Sequence, residues 1–313
     1  MLNTPLLFLV FNRPNTTAKV FDVIRQVQPV RLFIAADGPR PGKEGEAELC
    51  KEVREFILNG INWNCEVQTL FRDENLGCGK AVSGAISWFF EHVEEGIILE
   101  DDCLPDNSFF PFCAELLEKY RTEEKVMSIS GSNLLGYPWK VEGQSYFWGI
   151  GGIWGWATWK RAWKLYDFKM EKWGDKSTKV QIRKAIQTEE WFQFYYPMFE
   201  ATYIGSLDTW DIQWLYSVFI NGGLSINPEV NLVKNLGFGE SSSHTKDLND
   251  PIAKLSKGSI KFPLNHPNHR EVDTRYLNLM LKAITRKHLN HLSLFERVLN
   301  KIRKKIGTLK VVK

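Results

Sequence analysis

The sequence predicts an α/β fold in which a mostly parallel central sheet carries helices on both faces. Three observations predict it. Five short apolar segments, 6–11 (LLFLVF), 31–37 (RLFIAAD), 65–71 (CEVQTLF), 96–101 (GIILED) and 126–131 (VMSISG), are each bounded by polar or turn residues. Stretches of helical length and spacing, 16–27, 43–59, 79–93 and 109–121, separate them. The chain of 313 residues is long enough for one large domain, at roughly 150 residues per domain as a soft prior. Strands that alternate with helices, and that read as continuous apolar runs, belong to a parallel sheet buried on both sides.

Taken in order, the first segment ends in Asn12-Arg13-Pro14, with a short apolar run, no basic leader and no small-residue cleavage site. It reads as a core strand, not a signal peptide. Thr16 and Thr17 after Asn15, and Asp106-Asn107-Ser108 before Phe109, offer helix N-caps. After residue 140 the rhythm is lost. Residues 146–163, YFWGIGGIWGWATWKRAW, are rich in Gly and Trp, and helical patterns follow at about 176–200 and 208–221. The 12 Trp cluster largely between 139 and 214, where flat apolar faces serve a core by default and a sugar site in the sharper reading. Residues 237–250, GFGESSSHTKDLND, read as a loop of small polar residues.

Hydrophobic residues are 43% and charged residues 25% of the chain, ordinary for a soluble protein, and no apolar run is long enough to span a bilayer. Five cysteines without a CxxC pair suggest neither a disulfide framework nor a zinc site, and a reducing cytoplasm is expected. The net charge of +3 is unevenly placed: residues 282–313 hold ten Lys/Arg and one acidic residue, against thirty basic and thirty-six acidic residues in 1–281. From Tyr276 onward Leu289, Leu292, Phe295, Leu299, Ile302 and Ile306 recur at spacings of three and four among basic residues. This is a basic amphipathic C-terminal helix, packed on its own domain, peripheral on an anionic membrane at its inner face, or paired with another chain. Nucleic acid is not expected as a partner, because the body offers no basic stripe with interleaved aromatics. The expected organisation is one domain over 1–270, with a nucleotide-binding half (1–135) and an acceptor and sugar half (136–270), followed by a basic helical tail over 271–313.

The segment GIILEDDCLPD places Glu100, Asp101 and Asp102 at a strand end, where open α/β sheets bind ligands. Three adjacent carboxylates repel one another, and a hard cation among them, Mg²⁺ or Mn²⁺ shared with phosphate oxygens, relieves that. The plain alternative is a turn, with Asp106 capping the next helix. Other phosphate devices fit poorly: Asn75–Ala81 has Glu74 and Ala81 at the P-loop's glycine and Ser/Thr positions, and neither GxGxxG, GxSxG nor HExxH is present where needed.

These residues resemble the GT-A glycosyltransferases, and among them the branch of N-acetylglucosaminyltransferase I, loosely but in order over residues 5–245. The resemblance implies a GT-A type Rossmann-like sandwich. Phe11-Asn12-Arg13 is similar to the strand end that opens the nucleotide pocket, Asp37 to the uracil-reading aspartate, and Asn75-Leu76-Gly77 with Lys80-Ala81 to the segment beside the uridine. Glu100-Asp101-Asp102 is similar to the EDD motif, which implies a metal on Asp102 and contacts from Glu100 and Asp101 to the nucleotide sugar or metal-bound water. Trp154 and Trp156 resemble the stretch bordering the donor sugar and acceptor. Trp210-Asp211 resembles the Trp-Asp that supplies an apolar wall and the catalytic base. The second adjacent acid of that motif is missing here, so Asp208 competes with Asp211 for the role, and each also reads as a helix cap. His244 stands where the family has a loop that closes over the donor, which makes it a candidate extra metal ligand, with a solvated loop histidine as the alternative.

The function so implied is metal-dependent, inverting transfer from a nucleoside diphosphate sugar, a UDP-sugar foremost, to a hydroxyl of a carbohydrate or lipid-linked glycan. Arg13 and Lys80 would add positive charge near the phosphates or uridine. A nucleotide-sugar-binding protein without catalysis and a sugar nucleotidyltransferase are the alternatives. The latter ordinarily carries a Gly- and Arg-rich loop after its first strand, which Phe11-Asn12-Arg13-Pro14 does not supply.

Overall fold

The computed structural model describes residues 1–238 and 254–291, with side chains to residue 283. Strands β1 (Leu6–Val10), β2 (Arg31–Ala36), β3 (Glu66–Phe71) and β4 (Glu95–Glu100) alternate with helices α1 (Pro14–Val27), α2 (Glu46–Gly60) and α3 (Gly77–His92). Each predicted element of this half exists within a few residues of its expected bounds. The cap assignments differ. Helix α1 starts at Pro14, whose fixed φ and missing N–H suit a first helical position, so the Asn15-Thr16-Thr17 cap is not used and no side chain caps α1.

A short strand β5 (Cys103–Pro105) leads to α4 (Phe109–Lys119), β6 (Val126–Ser130), β7 (Tyr146–Gly149), β8 (Trp156–Trp159) and the single turn α5 (Lys160–Trp163). The Gly- and Trp-rich segment thus holds two short strands, each buried along its whole length, and the turn α5. The predicted helix over 176–200 is two helices, α6 (Lys176–Ile186) and α7 (Glu189–Tyr203). Gln187 turns left-handed between them at φ 67° and the Thr188 hydroxyl accepts from the Trp191 N–H to start α7. Helix α8 (Asp211–Ile220), β9 (Leu224–Pro228), β10 (Val233–Asn235) and α9 (Thr274–His291) complete the described elements.

The main sheet has the order β3-β2-β1-β4-β8-β6-β9-β7. Its first four strands are parallel. β8 enters antiparallel between β4 and β6, and β7 closes the far edge antiparallel to β9. Six strands therefore share one direction, as expected for the Rossmann-like sandwich. Alternate strand residues feed two cores. Leu6, Phe8, Leu32, Ile34 and Leu99 pack under α1, α2 and α4, whereas Leu7, Leu9, Phe33, Ala35 and Ile98 pack under α3, α5 and α8. A third cluster joins Trp173 and side chains of α6, α7 and α8 to Tyr276, Leu277, Met280 and Leu281 of α9. The beginning of the C-terminal helix is therefore a packed element. The apolar stripe from Leu289 and the basic residues beyond 291 lie outside the described side chains.

Candidate active site

Because β1, β2 and β4 run in parallel, their C-terminal ends open on one rim of the sheet, the place where α/β sheets bind ligands. A cavity of about 410 Å³ lies there, lined by the strand ends, the inner face of α3 and Asp208. Its apolar part is made of small side chains, Ala35, Ala81, Val82 and Ala85, while Arg13, Arg40 and Arg72 face Asp37, Glu100, Asp101 and Asp208 around it.

The acidic triplet sits at one end. Asp101 accepts from the Phe11 N–H at 3.2 Å, and Arg13 reaches both Asp102 at 2.7 Å and Asp101 at 3.5 Å. Burial works against the Arg13 charge, yet Asp101, Asp102 and Glu100 hold its pKa above the usual value. Burial, then the neighbouring Asp102, push Asp101 up to about 7, and burial followed by Asp102, Asp101 and Asp211 pushes Glu100 well above the carboxylate range. One Glu100 oxygen is buried without a hydrogen-bond partner. Ionising all three carboxyls against one guanidinium would leave an excess of negative charge, which is part of why Glu100 and Asp101 are pushed up, and a cation among them would favour the ionised forms.

The β5–β10 ribbon fixes the chain on either side of this corner. Its pairing brings Leu236 to donate its N–H to the Asp102 carbonyl at 2.7 Å. At Gly237 a Cβ would lie 2.0 Å from an Asp102 oxygen, so only glycine fits beside that carboxylate. Among the described residues no group of three or more His, Cys, Asp or Glu side chains is arranged to hold a metal alone. A cation held here would need phosphate oxygens and water to complete its shell, as Mg²⁺ often does. His244 lies outside the described residues.

Asp208 and Asp211 are separated by their bonds. Asp208 does not cap the helix next to it. Its two oxygens accept from the N–H groups of Cys78 and Gly79 at 2.9 and 3.0 Å, capping α3 across 130 residues of sequence. A Cβ at Gly77 or Gly79 would come within 2.6 or 2.7 Å of that carboxylate, which is why the NLGCG segment has glycine there. Asp211, at the first position of α8, takes a short hydrogen bond from the Thr209 hydroxyl. Its charge acts through space on both Glu100 and Cys78, so it lies near the acidic end, although Asp208 and not Asp211 lines the cavity itself.

Several predicted site residues are placed elsewhere. Trp156 is fully buried and Trp210 is 2% exposed, and their rings stack at 5.6 Å inside the second core. This corrects the expectation that they present faces to sugars: β8 and the start of α8 turn both indoles inward. Trp154 is half-buried, edge-on to Phe238 at 5.9 Å, and stays at the surface of this region. Lys80 is exposed and does not line the cavity, since the face of α3 that does so carries Cys78, Ala81, Val82 and Ala85. Asn12 donates to Glu46 at 2.8 Å. Asp37 accepts from the Leu76 N–H with both oxygens, at 3.1 and 3.0 Å, and burial raises its pKa.

Sequence reading missed Arg40, Glu46, Arg72 and Cys78. Glu46, 4% exposed, accepts from Asn12, from the Arg40 backbone N–H at 2.6 Å and from the Arg40 guanidinium, and so ties together the loops after β1 and β2. An acid at the first turn of a helix is its only signal. The Cys78 thiol is pushed up to about 12 by burial and by Glu100, Asp211 and Asp208, so it is protonated at neutral pH and serves as wall, not nucleophile.

No family model and no curated protein matches the chain in sequence. Among solved structures it is similar to mouse xyloside xylosyltransferase 1 in its apo form, with 13% identity over 69% of this chain and 81% of that one at a TM-score of 0.34. It is similar to the glycosyltransferase GlyE of Streptococcus pneumoniae TIGR4, with 10% identity over 72% of this chain and 45% of that one at 0.33. A third is HddC from Yersinia pseudotuberculosis, with 10% identity over 52% and 78% at 0.32. Likenesses at this level carry no argument, and the functional reading rests on the cavity itself.

Proposed function

We propose that the chain is a glycosyltransferase that moves a sugar from a nucleoside diphosphate sugar, a UDP-sugar foremost, to a hydroxyl of a carbohydrate or lipid-linked glycan, with inversion. One observation carries the reading: the cavity at the parallel strand ends pairs a slot of small apolar side chains with a charged end where Arg13 lies between Asp101 and Asp102. The slot suits a flat base and the charged end a diphosphate. Asp102, with Asp101, would hold Mn²⁺ or Mg²⁺, which supplies Lewis-acid stabilisation of the leaving diphosphate when bound.

The protein's own groups do the rest. Arg13 is a fixed cation beside the phosphates and needs no reorganisation as charge develops there. Asp211 takes the proton of the acceptor hydroxyl as that oxygen attacks the anomeric carbon. Asp208 is unsuited to that task because both of its oxygens are engaged at α3. Trp154 offers a partly open ring to a sugar. No helix among the described residues is long and apolar enough to cross a membrane, so a lipid-linked acceptor would be met through a surface or the basic tail.

Calorimetric titration with UDP and UDP-sugars, with and without Mn²⁺, on the wild type and Asp102→Ala tests the site. Metal-dependent binding that the variant loses is the expected result. Absence of binding under every condition would return the acidic triplet to the status of a turn.

A further inference from the structure

We infer that the outer edge of β3 is a docking surface for a second copy of this chain, whose own β3 joins it antiparallel with Thr69 opposite Thr69. The main sheet ends in β3 on one side and β7 on the other. The β7 edge is covered: Val272 bridges to Trp148, Asp273 donates its N–H to the Trp148 carbonyl at 2.8 Å, and the Trp148 indole donates to the His269 carbonyl at 2.9 Å. The β3 edge is bare. Glu66 donates its N–H to the Val30 carbonyl at 2.9 Å and Arg72 to the Ala36 carbonyl at 3.0 Å. In a parallel pair each residue turns its N–H and C=O to the same side. Glu66, Gln68, Leu70 and Arg72 therefore face β2, while Val67, Thr69 and Phe71 point theirs outward. None of these outward groups bonds to another described residue. Such an edge is a template for another strand, and proteins blunt it with Pro, Lys or a bulge. β3 reads EVQTLF in unbroken register and has none of the three.

The residues of β3 favour a copy of itself as the occupant. An antiparallel copy centred on Thr69 sets Val67 opposite Phe71, Thr69 opposite itself and Phe71 opposite Val67, and each of these pairs can exchange both backbone hydrogen bonds. Between them Gln68 meets Leu70, and Glu66 meets Arg72. A copy centred on Leu70 would set Glu66 against Glu74, and one centred on Gln68 would set it against Leu70. Of the three, the Thr69 register opposes unlike charges, and cross-strand pairs of that kind stabilise a ladder. Apolar surface follows the same line. Val67 and Phe71 are half-buried on the first core and Leu70 on the second, so a second copy completes their cover. Arg54 of α2 lies over the Phe71 ring at 5.1 Å and donates to the Arg72 carbonyl at 2.7 Å, which marks the flank of α2 nearest β3. Leu58, one helical turn further on that flank, is 42% exposed and extends the apolar strip along the edge. The pairing puts both α2 helices on one face of a continuous sheet. The two cavities then open on opposite rims, because each lies at the C-terminal ends of strands that run against those of the other copy.

Sedimentation equilibrium of the full chain over a range of concentrations is the test, with circular dichroism confirming that each variant is folded. The wild type is expected to be a dimer. Thr69→Pro removes an outward N–H and leaves the pairing to β2 intact, and Thr69→Lys sets two like charges opposite each other at an exposed position. Both are expected to lose the dimer. Register is read by mild oxidation in a Cys65→Ser background. Thr69→Cys should give a disulfide-linked dimer, because directly opposed Cα atoms in such a pair lie ~5.5 Å apart. Glu66→Cys should not, because its two copies stand six residues out of step, about 20 Å along the strands. A wild type that is monomeric at every concentration overturns the inference and leaves the edge to a foreign strand. A dimer that persists in both Thr69 variants, or that cross-links through Glu66→Cys and not through Thr69→Cys, overturns it by placing the contact elsewhere. The transferase reading stands or falls separately.

Discussion

Asp211 and Asp208 differ by three positions and by everything that matters for proton transfer. Asp208 neutralises two N–H groups at the start of α3, whereas Asp211 keeps one oxygen beyond its bond from Thr209. Asp211→Asn should therefore lower kcat by roughly 10²–10⁴-fold, the usual range for a lost general base, and leave the calorimetric UDP affinity near the wild-type value. Transfer at the wild-type rate would remove Asp211 from the mechanism. Glu46 makes a prediction of a different kind. Hydrogen bonds from Arg40, opposed by burial, hold its pKa below the ordinary 4.5. A depressed folded-state pKa contributes stability that is present above the unfolded value and is lost as pH falls through the folded one. Glu46→Gln should melt at a lower temperature than the wild type at pH 7, and the gap should narrow below about pH 4. A gap independent of pH would mean that the carboxylate charge does not hold the two loops. Neither Glu46 nor Arg72 belongs to a motif, and each acquires meaning only when a strand end or helix start is placed beside it. The rule that flagged the triplet, an ionisable group at a parallel strand end, applies equally to Arg72 at the end of β3.

At the scale of elements, the first half of the chain is legible because β1, β2 and β4 are near-continuous apolar runs and the helices between them each show an apolar face. That regularity fails at Trp156 and Trp210. Aromatic density marks where large surfaces are buried or offered, but the sequence does not say which, and β8 resolves it by entering the sheet between β4 and β6. Truncation separates the cases. Trp210→Ala should cost about 3–5 kcal/mol of stability, as for large-to-small changes in a core, and lower the melting temperature whether or not nucleotide is bound. An undisturbed melting temperature would mean that the stacked pair at 5.6 Å does not hold α8 on the sheet. The link between Asp208 and α3 is equally hidden, since a cap supplied from 130 positions away leaves no local pattern. The two glycines it requires, Gly77 and Gly79, are visible in the sequence, but taken alone they suggest only a phosphate loop.

The whole molecule is asymmetric in charge, and that asymmetry carries a testable consequence for where it attaches. Residues 292–313 carry seven Lys/Arg and one acidic residue, while the region before 282 is net acidic. The preceding helix is anchored by Tyr276, Leu277, Met280 and Leu281 in the third core, so the basic segment is tethered to the folded body. Near an anionic leaflet each Lys or Arg contributes about 1 kcal/mol, falling off within a Debye length, and the acidic body opposes attachment through any other surface of average charge. Deleting residues 292–313 should therefore release the protein from phosphatidylserine-containing vesicles in a co-sedimentation assay. The same variant should keep its melting temperature and its UDP affinity, because the described lining of the cavity and the described α9 core contacts all lie before residue 292. Raising the salt should release the full chain in the same way. Vesicle binding that survives both the deletion and high salt would place the attachment on the folded body, and an unbound full chain would assign the basic segment to a partner other than lipid.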